Sequence, residues 1–409
     1  MKILVLNAGS SSHKCCLYDL EGNQFEHPSQ PLWEGCIDWT SHQGMAELTI
    51  AARGHHLQEV FVADSRQAAI ESLLGTLCSG ETQVIARLSD IDVVGHRVVH
   101  GGQDYQSGTL ITPAMKEALE RLSLFAPLHN PVNVEGISIV EQLLPGTPQV
   151  AIFDTAFHSQ MPLESCVYPG PYAWYTQGLR RYGFHGISHH YSAQRTAQIL
   201  QRDVRSLRLI TCHLGNGCSV AAIQDGYSID TTMGFTPLEG LMMGTRSGSI
   251  DPGLLLYLLQ QQHYSVEELA HVLNHSSGLK GISGVSSDMR HILQAREAGD
   301  KQAALAFSMF IHRLRAAIGA QIATLGGVDA LVFTGGIGEH SPLVRQQTCL
   351  AFAFLGLALD PEKNASFLLD HDIASPDSTV RVVVVHAEEA WAIARECWQV
   401  MASNGALCK

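Results

Sequence analysis

The chain opens with the stretch Lys2-Ile3-Leu4-Val5-Leu6-Asn7-Ala8-Gly9-Ser10-Ser11-Ser12, an apolar run that ends in a polar turn containing glycine. A β-like run follows at residues 15–19, before another turn at Glu21-Gly22-Asn23. The same order returns as Leu207-Arg208-Leu209-Ile210-Thr211-Cys212-His213-Leu214-Gly215-Asn216-Gly217, again with a β-like run and the turn Gln224-Asp225-Gly226. Each copy is typical of a β-hairpin. The repeat predicts a duplicated architecture, while two unrelated hairpins with common turn chemistry remain the alternative.

Helical and strand-like segments alternate along the rest of the chain. Helical spacing covers residues 113–125, 265–274, 301–325 and 387–401. Short β-branched runs, typical of buried strands, cover residues 92–99, 149–153, 330–333 and 380–385. These elements predict an α/β protein with two domains. We expect one domain to comprise residues 1–150 with 387–409, closed by the C-terminal helix, and the other to comprise residues 151–386.

The composition excludes several classes of protein. The 409 residues include 26 Lys and Arg against 39 Asp and Glu, and this net charge of −13 argues against a nucleic-acid partner. The apolar stretch at residues 349–359 has about half of the ~20 residues that cross a bilayer. The opening apolar run is too short for a secretory signal. We therefore predict a cytoplasmic protein without a membrane span, and the ten cysteines, which form no C-x-x-C pair, indicate no disulfide framework or zinc site.

Three glycine-rich turns follow predicted strands, at residues 7–14, 213–217 and 333–339. Such turns can present backbone N–H groups and hydroxyls to phosphate oxygens, and Lys14 adds positive charge to the first of them. Each turn alone is more often structural, and a Walker A pattern is absent. Together they favour a bound nucleotide polyphosphate.

Four residues outside these turns have features of chemical sites. Arg246 lies in the segment 231–252, which is too rich in Gly, Thr and Met for an ordinary helix or strand. The Arg246 side chain could bind an anionic group. Arg97 stands near two glycines and suits bidentate binding of a carboxylate. Asp154 ends a predicted buried strand, where metal or acid–base residues are often found. His185 could donate a hydrogen bond to a phosphoryl group. A solvated arginine and a packed histidine are the competing interpretations of Arg246 and His185.

Seven motifs stand in one order between residues 7 and 339. They are N-A-G-S-S-S with Lys14, G-H-R-V-V-H-G-G (95–102), F-D-T-A-F-H (153–158), R-Y-G-F-H-G (181–186), H-L-G-N-G (213–217), T-T-M-G-F-T-P-L-E-G-L-M-M-G-T-R-S-G (231–248) and G-I-G-E (336–339). On these motifs the chain resembles the acetate kinases of the acetate and sugar kinase, Hsp70 and actin superfamily. The resemblance implies a two-domain actin-like, ribonuclease H-like fold with a duplicated β-hairpin core and a nucleotide cleft between the domains. It also implies a homodimer and reversible, Mg²⁺-dependent in-line transfer of the ATP γ-phosphoryl group to acetate, giving acetyl phosphate and ADP.

The resemblance implies roles for individual residues. The catalytic residues would be Asp154, His185 and Arg246. The acetate would be bound by Arg97, Val99, Leu128, His129, Phe184 and Pro237. ATP or ADP would be bound by Lys14, His213, Leu214, Gly215, Asn216, Gly217, Asp288, Met289, Arg290, Gly336, Ile337, Gly338, Glu339 and His340. Asn7 and Glu388 would hold Mg²⁺, with Mn²⁺ as an alternative ion.

Some positions depart from the family pattern, and other functions stay open. Ser249 stands where Asp is common, and His291, His340 and His386-Ala387 also differ, which affects the surroundings of Glu388. A propionate kinase is the nearest alternative, although Val99 narrows the pocket towards acetate. One methylene is worth only ~1 to 3 kcal/mol. A non-catalytic nucleotide-binding module of the same superfamily would need a peptide-binding domain, and a histidine-rich metal-binding protein would need ligand spacing that the 21 histidines lack.

Overall fold

Two β-sheets carry the fold in a computed structural model that describes residues 1–8, 12–21, 27–39, 45–62, 65–127, 129–366 and 368–405. The strands are β1 (Lys2–Ala8), β2 (Ser12–Asp19), β3 (Trp33–Asp38), β4 (Ala46–Ala52), β5 (His55–Phe61), β6 (Val93–Val98), β7 (Thr109–Leu110), β8 (Gln149–Phe153), β9 (Arg208–Leu214), β10 (Cys218–Gln224), β11 (Tyr227–Thr231), β12 (Ala330–Thr334), β13 (His371–Asp372) and β14 (Arg381–Val384). The helices are α1 (Arg66–Gly75), α2 (Pro113–Leu122), α3 (Asn130–Leu143), α4 (Leu163–Cys166), α5 (Tyr172–Thr176), α6 (Gly186–Ile199), α7 (Pro252–Gln261), α8 (Val266–His275), α9 (Gly278–Ser283), α10 (Met289–Glu297), α11 (Lys301–Leu325), α12 (Gly335–His340), α13 (Pro342–Leu350), α14 (Pro361–Ala365) and α15 (Glu389–Ser403).

The two sheets repeat one strand arrangement. Their orders are β5-β4-β3-β2-β1-β6-β8-β7 and β11-β10-β9-β12-β14-β13. In both sheets the first strand of a hairpin, β1 or β9, pairs antiparallel with its successor and parallel with a later strand, β6 or β12. The short strands β7 and β13 close corresponding edges in antiparallel orientation. The predicted α/β fold with a duplicated hairpin core is therefore confirmed, and the β4–β5 hairpin is an addition to the first sheet.

The chain divides into two compact units. The first comprises Met1–Ala156 with Glu388–Lys409, and the second comprises Phe157–Ala387. The domain limits that the sequence analysis places after residues 150 and 386 stay a prediction. Within the first unit α15 packs against β1, β6 and β8. This contact needs Gly95 in β6, because a Cβ there would collide with Cys397 and Ile393 of α15.

Most of the local predictions are confirmed, and one is wrong. Helix α11 has the predicted bounds, and α8 begins at a capping box in which Ser265 and Glu268 exchange hydrogen bonds. The segment 333–339, predicted as a glycine-rich turn, is instead the end of β12 followed at once by α12. Gly335 has φ +75°, a left-handed conformation that lets the chain reverse in one residue, so that helix α12 can begin directly. No described helix combines the length and the apolar character needed to span a membrane.

Buried histidines make the stability of the fold depend on pH. Burial lowers the pKa from 6.5 to about 4 for His13, His96, His100 and His158, and lowers that of His189 well below its ordinary value. These rings are neutral in the folded chain at pH 5, whereas the unfolded chain binds protons at about pH 6.5. The unfolded state therefore takes up more protons in this range, and the free energy of unfolding falls as the pH drops from 6.5 towards 4.

We expect urea unfolding to show this loss, and His96→Gln to reduce it. The Nε2 of His96 lies 2.7 Å from the Gln149 side-chain oxygen, and the neutral ring can donate this hydrogen bond. The matched control is His55→Gln, since the His55 side chain is 53% exposed. Equal pH slopes for both variants between pH 7 and pH 5 would contradict the assignment of this slope to the buried rings.

Candidate active site

Three polar side chains meet at the carboxyl ends of neighbouring parallel strands in the first unit. Asn7 lies near the end of β1, Arg97 near the end of β6, and Asp154 directly after β8. The Arg97 guanidinium grips the Asp154 carboxylate through Nε to Oδ1 at 3.0 Å and Nη2 to Oδ2 at 2.5 Å. Its Nη1 donates to Asn7 Oδ1 at 3.1 Å. The topology of β1, β6 and β8 therefore brings together three residues that the sequence singled out separately.

The Arg97–Asp154 pair is largely removed from solvent. The side chains are 17% and 2% exposed. Burial lowers the pKa of Arg97, but the negative charges of Asp154 and Glu389 outweigh burial, and the pKa lies above its usual value. Asp154 therefore faces a permanent positive charge. Two nitrogens of the Arg97 guanidinium are directed at Asp154. The predicted contact of Arg97 with the substrate carboxylate stays a prediction.

Two residues that were not predicted, Glu389 and Asn133, hold this cluster. Asn7 Nδ2 donates to Glu389 Oε2 at 3.1 Å, so the first turn of α15 fixes the amide of Asn7. Asn133 on α3 accepts a hydrogen bond from Val99 N–H and donates one to Ala8 O, at 3.1 and 3.2 Å. These side chains tie the ends of β1 and β6 to two helices. Glu389 could have been noticed as the neighbour of Glu388, whereas Asn133 gave no signal in its sequence context.

The residues predicted to hold a metal ion offer a suitable donor set. Mg²⁺ prefers oxygen ligands and is commonly held by one or two protein groups together with substrate phosphates and water. Asn7 supplies an amide oxygen, which also accepts the hydrogen bond from Arg97, and Glu388 supplies a carboxylate at the start of α15. Lys14, which is exposed, lies directly across the β1–β2 hairpin from Asn7. No group of three or more His, Cys, Asp or Glu that could hold a metal ion is found among the described residues. The donor set therefore fits an ion whose coordination is completed by a phosphate ligand.

His185 lies in a cluster of histidines in the second unit. It caps the N-terminus of α6 in the left-handed conformation, with φ +56°, which is rare for a residue with a side chain. Its ring stacks on His213 with centroids 4.3 Å apart, and its Nδ1 lies 2.9 Å from Ser219 Oγ. A Cβ on Gly217 would come within 3.3 Å of His185 Nε2. The glycine therefore allows the backbone to pass close to the outward edge of the ring.

Arg246 lies in the irregular segment between β11 and α7. Its Nη1 donates to Pro237 O at 3.0 Å, and a Cβ on Gly217 would lie 3.6 Å from the same nitrogen. The side chain is half-buried rather than fully solvated. His185 and Arg246 thus approach Gly217 together. The half-buried Arg246 is not a fully solvated arginine, whereas the contacts of His185 with His213 and Ser219 are also compatible with a packed histidine, so the roles of both residues stay predictions.

A cavity of about 590 Å³ lies in the second unit and is lined by segments after β9, before α10 and in α12. Its walls contain eight of the residues predicted to bind the nucleotide, namely Gly215, Asn216, Asp288, Met289, Arg290, Gly336, Ile337 and His340. Ser287, Leu293 and Ser341 also line it and were not predicted. The cavity combines backbone at glycines with the polar Asn216 and the Arg290–Asp288 ion pair, whose atoms lie 2.6 Å apart. It has the size and chemistry of a small-molecule site.

Other residues predicted for the nucleotide lie outside the walls of this cavity. They are His213, Leu214, Gly217, Gly338 and Glu339 of the second unit and Lys14 of the first. Glu339 is buried and accepts hydrogen bonds from Gly335 N–H and Ala387 N–H, both at 3.0 Å, while His386 Nδ1 lies 2.7 Å from its other oxygen. Burial raises the pKa of Glu339, but the interactions with His386, the Ala387 N–H and His340 together outweigh burial, and the pKa lies below its usual value. This glutamate therefore ties α12 to the chain after β14.

The residues predicted to surround the acetate methyl group, and the predicted active-site histidine His129, are distributed over both units. Val99 and His129 belong to the first unit and Phe184 and Pro237 to the second, while Leu128 lies outside the described residues. Val99 and Phe184 are 3% and 1% exposed. Gly9, Ser10 and Ser11 of the first glycine turn also lie outside the described residues.

The departures from the family pattern have identifiable partners. Ser249 Oγ donates to Glu239 Oε1 at 2.8 Å, and its carbonyl accepts from Arg313 Nη1 at 2.9 Å. His340 lines the cavity, and His386 contacts Glu339 as described above. His291 Nδ1 lies 3.2 Å from Ser286 Oγ. Each replacement therefore makes a local hydrogen bond or borders the cavity.

Comparisons with known proteins agree with this architecture. The profile of the acetokinase family matches residues 2–395. The acetate kinase of a Cyanothece strain is 58% identical over 405 residues, covering 99% of each chain, and that of Nostoc punctiforme is 59% identical over 403 residues, covering 98% of this chain and all of the other. The crystal structure of Porphyromonas gingivalis acetate kinase aligns with a TM-score of 0.88 at 39% identity, covering 98% of this chain and 99% of that one.

A solved propionate kinase from Francisella tularensis also has a TM-score of 0.88 at 39% identity, covering 97% of this chain and 98% of that one. Fold and relatives together define a phosphotransferase with the actin-like ATPase architecture. The chain belongs to the acetokinase family.

Proposed function

We propose that the chain transfers the γ-phosphoryl group of ATP to acetate in a reversible reaction that gives acetyl phosphate and ADP. The observation that carries the proposal is the cavity of about 590 Å³, whose walls are made of the family motifs predicted to hold the nucleotide. The acetate kinases of Cyanothece and Nostoc, which match over nearly the full length, support acetate as the acceptor. We further propose a cytoplasmic location.

The acceptor needs no general base. A carboxylic acid has a pKa of about 4 to 5, by analogy with side-chain carboxyls, so acetate is ionised at pH 7 and can attack phosphorus directly. The role of the protein is then to position the reactants and to stabilise charge on the equatorial phosphoryl oxygens. Asp154, held by Arg97, orients the groups around it rather than removing a proton.

His185 and Arg246 are suited to stabilise the transferring phosphoryl group. Both approach Gly217, and each presents a nitrogen donor near the same stretch of backbone. We assign Asn7 and Glu388 to Mg²⁺, with Mn²⁺ as an alternative ion. When bound, the ion would neutralise phosphate charge.

The direct test is a hydroxamate assay of the purified protein with Mg-ATP that compares kcat/KM for acetate, propionate and butyrate. We expect acetate to rank first with propionate close behind, because one methylene changes the binding energy by only ~1 to 3 kcal/mol. No acyl phosphate from any substrate, with folded protein that binds ATP, would refute the proposed reaction.

A propionate kinase is the second candidate. The observation that favours it is the match to the Francisella propionate kinase, which is as similar in fold as the Porphyromonas acetate kinase. Propionate ahead of acetate in the same assay would establish it and would leave the phosphoryl-transfer mechanism intact.

The proposed nucleotide site can be blocked at Gly336. A Cβ at this position would meet no atom within 4 Å, and the residue lines the cavity. We expect Gly336→Leu to raise the KM for ATP at least about tenfold by filling the site, with little change in thermal stability. The matched control is Gly336→Ala, which adds one methyl group and should bind ATP nearly as well as the wild type. An unchanged KM for ATP in Gly336→Leu would mean that the nucleotide binds elsewhere.

We propose that the chain forms a homodimer through α7. The sequence of this helix, PGLLLYLLQQ, is apolar, yet none of its residues is buried, and Leu254, Leu256 and Tyr257 are 45%, 57% and 52% exposed. An apolar helix left uncovered in one chain is typical of a protein interface.

We expect Leu256→Glu to convert the dimer to a monomer in size-exclusion chromatography with light scattering, because it places a charge in the contact. The control is Leu350→Glu, because Leu350 is 60% exposed but lies on α13, outside the proposed interface. A dimer that survives Leu256→Glu would exclude this surface.

A further inference from the structure

Ser219 and His189 continue the hydrogen-bond chain that begins at His185. Ser219 Oγ lies 2.9 Å from His185 Nδ1 and 2.7 Å from His189 Nε2. The other nitrogen of His189, Nδ1, lies 2.7 Å from Thr211 Oγ1. His189, Ser219 and Thr211 are each completely buried. The four residues form one path from the interior of the second unit to the His185 ring.

The two histidines share a helix, and the two hydroxyl residues share a hairpin. His185 caps α6 and His189 lies four residues later, so both point to one face of the helix. Thr211 on β9 pairs in register with Ala221 on β10, the strand that carries Ser219. Because α6 packs on β9, the hydroxyls and the rings alternate along the path.

The hydrogen bonds along this path can be oriented in two directions. In the first, Thr211 donates to His189 Nδ1, His189 Nε2–H donates to Ser219, and Ser219 donates to His185 Nδ1. In the second, every bond is reversed, and His185 Nδ1–H donates to Ser219. A neutral imidazole has one donor and one acceptor nitrogen. If both rings donated to Ser219, all three contacts would be made, but the buried hydroxyl proton of Ser219 would have no acceptor among the described residues. Burial lowers the pKa of His189 well below its ordinary value, which keeps this ring neutral.

Thr211 decides between the two directions. Among the described residues its hydroxyl has a single hydrogen-bond partner, the Nδ1 of His189. In the second direction Thr211 would accept from His189, and its own buried proton would have no acceptor. A buried donor left without a partner is costly, and such donors are rarer in proteins than unpaired acceptors. The first direction leaves no such donor.

We infer that Thr211, His189 and Ser219 act as a positioning relay that fixes His185 as the neutral tautomer with its proton on Nε2. Nδ1 of His185 accepts from Ser219, so Nε2, the edge next to Gly217, is a donor. The inference rests on the proposed function, in which His185 donates a hydrogen bond to the transferring phosphoryl group. With the other neutral tautomer, Nε2 would present a lone pair to the phosphoryl oxygens and repel them. The relay thus makes Nε2 of His185 a hydrogen-bond donor while the ring stays neutral.

The test combines kinetics with ¹⁵N NMR of the full chain labelled at histidine. The His185 signals are assigned by their loss in His185→Gln. In the wild type we expect a protonated-type signal at Nε2 and an unprotonated-type signal at Nδ1 of His185. In Ser219→Ala we expect the two signals to shift towards a mixture of tautomers. We also expect kcat to fall at least about tenfold, with the KM for acetate and ATP nearly unchanged, because the ring is in place but its proton is not fixed.

Two further variants separate the relay from a general loss of packing. Ser228→Ala removes a buried hydroxyl from His158, which is 2.7 Å away and lies outside the relay, and it should keep the wild-type kcat. Ser219→Thr retains the hydroxyl and should restore much of the activity. Should Ser219→Ala fail to fold, the wild-type spectrum and Ser219→Thr still decide the question.

A protonated-type Nδ1 signal from His185 in the wild type would overturn the inference. Equal kcat values for Ser219→Ala and Ser228→Ala would do the same. If instead the wild type forms no acyl phosphate, the proposed function fails, and the wild-type NMR spectrum still tests the relay independently.

Discussion

Arg246→Ala is expected to lower kcat by about a hundredfold to a thousandfold while changing the KM for acetate little. The guanidinium approaches the backbone at Gly217 together with His185, and its Nη1 is oriented by Pro237 O at 3.0 Å. A donor that acts on charge developing in the transition state is typically worth about 2.7 to 4 kcal/mol. Steady-state kinetics in the direction of acetyl phosphate synthesis gives both constants.

The matched control for this variant is Arg195→Ala. Arg195 belongs to the same unit and pairs with Asp370 at 2.9 Å, so its loss removes an arginine and an ion pair without touching the proposed site. Its kcat should equal that of the wild type. A change confined to the KM for acetate in Arg246→Ala would assign this arginine to ground-state binding.

The second large effect is expected at Asp154. Asp154→Ala should lower the free energy of unfolding by about 3 to 5 kcal/mol, because it leaves the largely buried Arg97 guanidinium without its carboxylate. The same substitution should abolish most of the activity, since Arg97 loses the carboxylate that orients its guanidinium, and Arg97 in turn donates to Asn7. Urea unfolding and the hydroxamate assay measure the two losses separately.

A double variant distinguishes stability from function at this pair. Arg97→Met with Asp154→Leu replaces two charges by apolar side chains of similar size, which in other proteins is often neutral or stabilising. We expect this variant to recover much of the stability lost in Asp154→Ala and to remain inactive. Unfolding energies that are equal for Asp154→Ala and the wild type would show that the pair is not needed for folding.

Elements with strong local signals were predictable from the sequence. The hairpin strands β1, β9 and β10 carry apolar runs with β-branched residues and are followed or preceded by glycine turns. Helix α11 carries a long alanine-rich helical pattern from a capping aspartate to a final glycine. The repeat of the two hairpins indicated the duplicated sheet. Its full extent, from β1 to β8 and from β9 to β14, was hidden, because the strands that correspond are separated by insertions of different length.

The features that were predicted wrongly or not predicted depend on contacts between distant residues or on backbone conformations that the sequence does not determine. A glycine such as Gly335 marks a sharp turn whether a loop or a helix follows, which is why α12 was predicted as a turn. Arg97 and Asp154 are 57 residues apart, and neither stretch shows that the arginine will face this carboxylate. The contact of His189 with Ser219 spans 30 residues and joins two ordinary-looking buried side chains. The short-range pattern of α6 alone could have suggested that His185 and His189 share a face.

The return of α15 to the first unit has a consequence for biosynthesis. A ribosome delivers β1 to β8 long before Glu389–Ser403 emerges, and during that time the α15-facing side of the sheet, including Gly95 in β6, lacks its covering helix. Domains generally fold as units while the chain is being made, starting from the N-terminus. Here the second unit can be completed first, and the first unit has to wait for Glu389–Ser403. A stalled ribosome or a premature stop before residue 389 would therefore leave an exposed apolar sheet, a natural substrate for chaperones.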